Sequence, residues 1–348
     1  MRTEYLITMD THCRSTDVCI KTAAGKLVKT DHLATAIPPL RELIQSVPRP
    51  RRLAFEEGPL AGWLCRNLKD LVDELIVCDP RRNAHIAKDG DKDDAIDAAK
   101  LNDLYRGGFL RPVHQADSDQ QAAVKQLVGL YHDRVEHRVA ETCRLLALGK
   151  RWGVMLNSAE LIATTGADRL KGQLTAAGVP ESLRTLAEAL RQSLLQAVQL
   201  EETLHRQLGQ LAAKNPMMRR VRDLPGYGPV RSATLISYLD TPWRFKSKSA
   251  LWKYVGIGLR REQSGQGLNR VCVEQACNRL LRNVVIGAAQ NAIDQKENVF
   301  ARRYAHWIQS GLSPGNARRN VARDQVTAIW GMWKSDKAFD PSLLPIPA

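Results

Sequence analysis

Long apolar runs are missing from this chain. No stretch approaches the ~20 residues needed to span a bilayer, and Met1-Arg2-Thr3-Glu4 leads straight into a strand pattern where a signal peptide would carry its apolar core. A cytoplasmic, nucleoid-associated protein is the expectation. Paired cysteines are lacking too: the seven are dispersed, and the closest late pair, Cys272 and Cys277, has no second pair at zinc-ligand spacing. Reduced thiols are therefore expected. Gly226-Tyr227-Gly228 lacks the remaining glycine, the lysine and the preceding strand of a nucleotide loop. Negative charge is short as well. Lys and Arg number 51 against 37 Asp and Glu, a formal +14 with a pI near 9.6, which favours a polyanionic ligand.

What is present suggests two or three domains in 348 residues, with an apolar fraction of 44% sufficient for their cores. Tyr5 to Asp10, Asp17 to Lys21 and Lys26 to Thr30 read as strands of an antiparallel meander, with Ala23-Ala24-Gly25 turning between the last two. A helical stretch from Pro39 to Ser46 follows. Leu53-Ala54-Phe55 is a buried strand ending at Glu56, Gly58-Pro59 opens a helix through Leu64 and Leu68, and Leu75 to Cys78 is a further strand. A meander followed by alternating strands and helices describes an α/β domain of the RNase H or RuvC type over residues 1–112. Val128, Tyr131, Val135, Val139, Thr142 and Leu146 then recur at helical spacing, and a second long helix runs from Glu181 to Leu211. Its near-heptad leucines suit a helical hairpin or intersubunit coiled coil over 113–215, with Gly166 to Gly178 as the reversal. Residues 216–340 read as a mainly helical domain. The fold class expected is thus α/β plus α.

Four carboxylates in the first third stand out against the basic background. Asp10 and Glu56 end strands, and Asp94 and Asp97 lie three apart at the start of a helix running to Tyr105, so all four could meet at one sheet edge. Phosphodiester cleavage by two magnesium ions about 3.5–4 Å apart needs such oxygen ligands. Taken singly, each acid is more often a strand-end cap or a helix N-terminal residue. Glu57 competes with Glu56, and Asp93 with Asp94, because adjacent residues of a strand face opposite ways.

The block Leu224-Pro225-Gly226-Tyr227-Gly228-Pro229 resembles a helix-hairpin-helix turn, whose backbone amides at Gly226 and Gly228 would meet a phosphate. Lys246, Lys248, Arg260, Arg261, Asn278 and Arg282 are further candidates for nucleic-acid contact, against the alternative of a solvated basic face. Ser264 sits in Gln263-Ser264-Gly265-Gln266-Gly267, expected to be a flexible loop. An isolated Ser-Gly carries no weight by itself. His132 and His137, five apart, are expected on a solvated surface, and Trp307, Trp330 and Trp333 in a core or interface rather than as base-stacking platforms.

MDTHCRSTDV, AFEEGPLAGWL and DDAIDAAKL together resemble the N-terminal DEDD domain of the insertion-sequence transposases described as bridge-RNA-guided serine recombinases. Phe55-Glu56-Glu57-Gly58-Pro59 is similar to that family's second motif and selects Glu56, although Glu57 is not small. Asp94-Ala95-Ile96-Asp97-Ala98 matches its Asp-x-x-Asp-Ala and selects Asp94, although the basic residue often found between the aspartates is absent. DLPGYGPVRSATLISYL, WRFKSKSALWKYVGIGL, REQSGQG and NRLLRNVVIGAA resemble ordered blocks of the family's C-terminal domain, so the likeness runs from about Tyr5 to Trp333. The resemblance implies magnesium at Asp10, Glu56, Asp94 and Asp97, and Ser264 as the nucleophile forming a covalent protein–DNA intermediate. It further implies donor and target DNA as substrates, a non-coding guide RNA and a homo-oligomer. The alternatives are a RuvC-like nuclease hydrolysing branched DNA and a non-catalytic nucleic-acid-binding protein.

Overall fold

The computed structural model describes residues 3–83, 94–264 and 268–345. The chain divides into two compact units, residues 1–122 and 123–348. In the first, β1 (Tyr5–Thr11), β2 (Ser15–Thr22) and β3 (Leu27–Ala34) form the antiparallel meander. Beyond β1, β4 (Arg51–Glu56) and β5 (Glu74–Cys78) add in parallel, giving the order β3-β2-β1-β4-β5. Both faces of β1 and β4 are covered, which accounts for the buried runs Leu6–Met9 and Leu53–Phe55.

The two faces bury different residues. α1 (Ile37–Ser46) and α2 (Ala61–Leu68) pack on the face of Ile7, Met9, Leu53 and Phe55. A short α3 (Pro80–Asn83) follows β5, and α4 (Asp94–Arg106) covers the other face, where Leu6, Ala54 and Cys78 meet Leu101 and Tyr105. Thr8 Oγ1 donates to Ala98 O at 2.7 Å, and Asn102 Nδ2 donates to Leu6 O at 2.8 Å. Going forward along α4 is thus going backward along β1, so the start of α4 lies toward the Asp10 end of that strand.

The second unit begins with α5 (Asp119–Arg151), which straddles the division, and returns along α8 (Glu181–Lys214). The stretch Gly166 to Gly178, expected to be a simple reversal, holds a helix instead, α7 (Gly166–Ala176), and a short α6 (Ser158–Ile162) precedes it. The reason is a small core of their own: Leu161, Leu170 and Leu174 pack with Leu145 and Leu194. Buried Arg191 ties them to α8 by donating to Leu161 O at 2.9 Å and Ala163 O at 3.0 Å. Leu130, Val139, Leu186 and Leu200 of the long pair stay about half exposed.

The remainder comprises α9 (Pro216–Arg222), α10 (Pro229–Leu239), α11 (Lys248–Tyr254), a hairpin of β6 (Leu259–Ser264) and β7 (Leu268–Val273), then α12 (Arg279–Asp294), α13 (Val299–Gln309) and α14 (Pro314–Ser335). Their core joins Val221, Leu235, Val285 and Val326 to Val128 and Leu208 of the long pair. The helices expected as a linker of their own thus share a core with the C-terminal region. Trp330 is buried, and Trp307 and Trp333 pack against the same core. Among the described residues no disulfide joins any of the cysteines, and no helix is long and apolar enough to cross a membrane.

Candidate active site and nucleic-acid interface

Asp10 and Glu56 end neighbouring parallel strands. Thr8 pairs with Ala54 and Met9 with Phe55, so the next step in that register sets Asp10 beside Glu56. Alternation puts Asp10 on the face of Leu6 and Thr8, and Glu56 on the face of Ala54, which is the face that α4 covers. Glu57 falls beyond the strand and is exposed. Asp94 is the first residue of α4, one turn ahead of Ala98. Asp97 is about half exposed and lies 3.8 Å from Lys100 Nζ. Asp93 falls outside the described residues.

Two histidines and a fifth carboxylate join this edge. Asp17 of β2 is directly opposite Asp10, and His32 of β3 is directly opposite Asp17. Like charges facing each other across a ladder repel, and here each has an imidazole beside it. His12 Nε2 is 3.3 Å from Asp10 Oδ2, and His32 Nδ1 is 3.0 Å from Asp17 Oδ1. Sequence reasoning passed over Asp17, although both strands were predicted; the signal was the hairpin register that sets 10 against 17.

In the second unit, Gly226 has φ +87°, and a Cβ there would lie 2.0 Å from Ala288 O of α12. Gly228 is the N-cap of α10, with open space around it. Both line a cavity of about 660 Å³ together with Tyr131, His132, His205 and Arg231. His132 is therefore not a solvated surface residue. Thr234 Oγ1 donates to Val230 O at 2.8 Å, which leaves it to accept from His132 Nε2–H at 3.0 Å. Burial holds the His132 pKa below the ordinary imidazole value. His137 is likewise engaged, its Nε2 being 3.0 Å from Ser193 Oγ of α8.

Lys246 and Lys248 are exposed and make no ion pair among the described residues, and Arg261 is exposed. Arg260 is paired with Glu262, which also accepts from Arg270 Nε at 2.6 Å. The Arg270 pair ties β6 to β7, and the two pairs pull the Glu262 carboxyl below its usual range, the Arg270 hydrogen bond being the main cause. Asn278 has a structural task, capping α12 by accepting from Leu281 N at 3.0 Å, and Arg282 lies half-buried on that helix beside Gly256. Ser264 corrects the loop expectation: it is the last residue of β6, its backbone paired with Leu268. Gly265, Gln266 and Gly267 lie outside the described residues.

Residues 7–150 match the family model of DEDD-type IS110 elements, described as Transposase, and residues 218–305 match that of the Transposase IS116/IS110/IS902 family. Both models are of IS110 transposases, and the chain is similar to them over both stretches. A protein of Sinorhizobium fredii (strain NBRC 101917 / NGR234), named Putative transposase y4pF/y4sB, is 23% identical over 308 residues, covering 86% of this chain and 77% of the relative's length. The first match encloses the acidic edge, and the second encloses Gly226 through Arg282, including Ser264. This transposase is a DNA-cleaving and rejoining enzyme whose substrate is DNA.

The DEDD family points to divalent metal. The donor chemistry fits: carboxylate oxygens suit a hard cation such as magnesium and not a thiophilic one. Among the described residues, no three such side chains are yet gathered in ligand geometry. Asp10 is turned to His12 and Asp97 to Lys100.

Proposed function

We propose that this transposase cuts and rejoins DNA through Ser264 as nucleophile, with Asp10, Glu56, Asp94 and Asp97 holding magnesium, at sites chosen by a non-coding guide RNA. The observation that carries the metal half is the pair Asp10 and Glu56 at the ends of adjacent parallel strands, on the face where α4 begins with Asp94. Bound magnesium would neutralise charge developing on the scissile phosphate. The sequence blocks that resemble the serine recombinases support Ser264.

In the proposed step Ser264 Oγ attacks phosphorus and gives up its proton to a base or solvent. A serine–phosphate ester forms as one phosphorus–oxygen bond to deoxyribose breaks, and the leaving oxygen takes a proton. A strand hydroxyl then attacks the phosphoserine, restoring a phosphodiester and the Ser264 hydroxyl. One ester replaces another each time, so no ATP is consumed. A homo-oligomer would bring several such serines to two duplexes, and the half-exposed Leu130, Val139, Leu186 and Leu200 offer apolar surface for assembly.

Denaturing gels of stalled reactions test the scheme. A protein–DNA adduct should form with the wild type and be absent in Ser264→Ala; full cleavage by that variant would leave metal-dependent hydrolysis in its place. Asp10→Asn and Asp97→Asn should each abolish cutting, and wild-type cutting by both would sink the acidic site. Omitting the element's RNA from a reconstituted reaction should remove site selection.

A further inference from the structure

Trp243 is 71% exposed, against 37% for Trp63 and 38% for Trp152. Single exposed apolar residues are ordinary on protein surfaces; three observations set this one apart.

Its backbone is pinned on both sides. Pro242 and Phe245 are buried, Pro242 O accepts from Trp330 Nε1–H at 2.7 Å, and Arg244 Nη1 donates to Tyr238 O at 3.0 Å with its guanidinium 4.3 Å from the Tyr254 ring centroid. The indole is therefore presented outward from a fixed turn. Next, one cation lies by its ring and two more follow in sequence. Lys334 Nζ is 5.2 Å from the Trp243 ring centroid and 3.7 Å from that of Trp330, while exposed Lys246 and Lys248 follow within five residues. None of these three lysines is ion-paired among the described residues, and Asp240, the nearest acid in sequence, is engaged within the chain. Finally, residues 123–348 carry 33 Lys and Arg against 18 Asp and Glu, so the surroundings repel cationic partners and attract polyanions.

The geometry points to Trp243 as a stacking platform for one unpaired base of a nucleic-acid strand, with Lys334, Lys246 and Lys248 holding the adjoining phosphates. Every base has a π-face, so the platform takes DNA or RNA without reading sequence, provided the base is out of a duplex. A protein partner fits less well, because lysines are depleted where a tryptophan anchors a protein interface. The inference rests on the reading of the chain as a nucleic-acid enzyme, so duplex binding is measured beside it as the readout of that reading.

Full-length protein is titrated with single-stranded DNA and RNA oligonucleotides carrying one 2-aminopurine, and with duplex DNA. Trp243→Ala should lose single-strand affinity on the order of tenfold and abolish the 2-aminopurine fluorescence change, leave duplex affinity in place, and keep its melting temperature. Trp243→Phe, which retains an aromatic face, should keep most of the signal. Lys334→Ala should lower the salt slope of single-strand binding by about 0.7, one phosphate contact. Loss with only one of the two strand types supports the platform and names its ligand. Unchanged single-strand affinity in Trp243→Ala overturns it, as does a variant that binds normally but sediments as a smaller species, which would make this face a contact between copies. If the wild type binds neither duplex nor single strand, the platform and the proposed function fall together; if duplex binding holds and Trp243→Ala has no effect, only the platform falls.

Discussion

Gly226 and Gly228 flank Tyr227 and do different work. Gly226 combines a left-handed φ with α12 backbone 2.0 Å from where a Cβ would sit, so both conformation and contact exclude a side chain. Gly226→Ala should cost about 2–4 kcal/mol, from an αL penalty plus overpacking. Gly228, at φ −119° with open space around it, should tolerate alanine for about 1 kcal/mol, the usual difference at an N-cap. Urea denaturation of the two variants checks this. Equal losses would mean that the turn does not rest on α12 as described. If Gly228→Ala folds normally and still loses nucleic-acid affinity, the loss belongs to the contact and not to the fold. His132 gives a second test at this scale. Burial depresses its folded pKa below the unfolded 6.5, so between the two values the unfolded chain binds more protons. Its contribution is fully present above about pH 6.5 and is lost as pH falls through the folded value. His132→Gln, which can still donate to Thr234 but does not titrate, should flatten the stability profile below pH 6.5; an identical profile would refute the assignment.

At the scale of elements, α4 matters most, because it brings Asp94 and Asp97 to the sheet. Asn102 holds it there by donating to Leu6 O at 2.8 Å, and to Thr8 Oγ1 and Cys19 O at 3.2 Å each. Asn102→Ala removes these buried hydrogen bonds and should cost about 1–3 kcal/mol. Cleavage should fall several-fold while DNA binding stays, since the helix carries carboxylates and not the basic face. Wild-type cleavage in a destabilised Asn102→Ala would separate α4's docking from its chemistry. β1 and β4 were legible because both-face burial leaves apolar runs, exposed β3 through the Ala23-Ala24-Gly25 turn before it, and the long helices because they keep a 3.6 period. The β6–β7 hairpin was not legible. Glu262 pairs across its ladder with Arg270, and along its own strand with Arg260, while Leu259 and Val271 stay exposed, so no apolar alternation marks it as sheet. Helices α6 and α7 were hidden by glycines at their edges: Gly166 reads as a breaker, yet it is required where a Cβ would lie 2.4 Å from Glu160 O. In the acidic edge, Asp10 and Glu56 could be placed by counting along strands, whereas Asp17 and His32 join it only through register across strands.

Across the whole molecule, charge is partitioned between the units. Residues 1–122 hold 18 Lys and Arg against 19 Asp and Glu, close to neutral, while residues 123–348 hold 33 against 18 and so carry the entire excess. Long-range attraction to a polyanion therefore comes from the second unit, and the acidic edge opposes it. Two consequences follow for full-length protein without magnesium. The affinity for duplex DNA should fall steeply with salt, log affinity dropping roughly 0.9 per neutralised phosphate per log unit of salt. Lys246→Ala with Lys248→Ala should reduce that slope by up to about 1.8, if each lysine neutralises one phosphate. Asp10→Asn should leave the slope unchanged and bind DNA as tightly as the wild type or tighter, because it removes a negative charge from the first unit and no phosphate contact from the second. Anisotropy titrations across a salt series measure both. A slope that falls in Asp10→Asn and holds in the double lysine variant would reverse the division of labour, making the first unit the one that grips DNA.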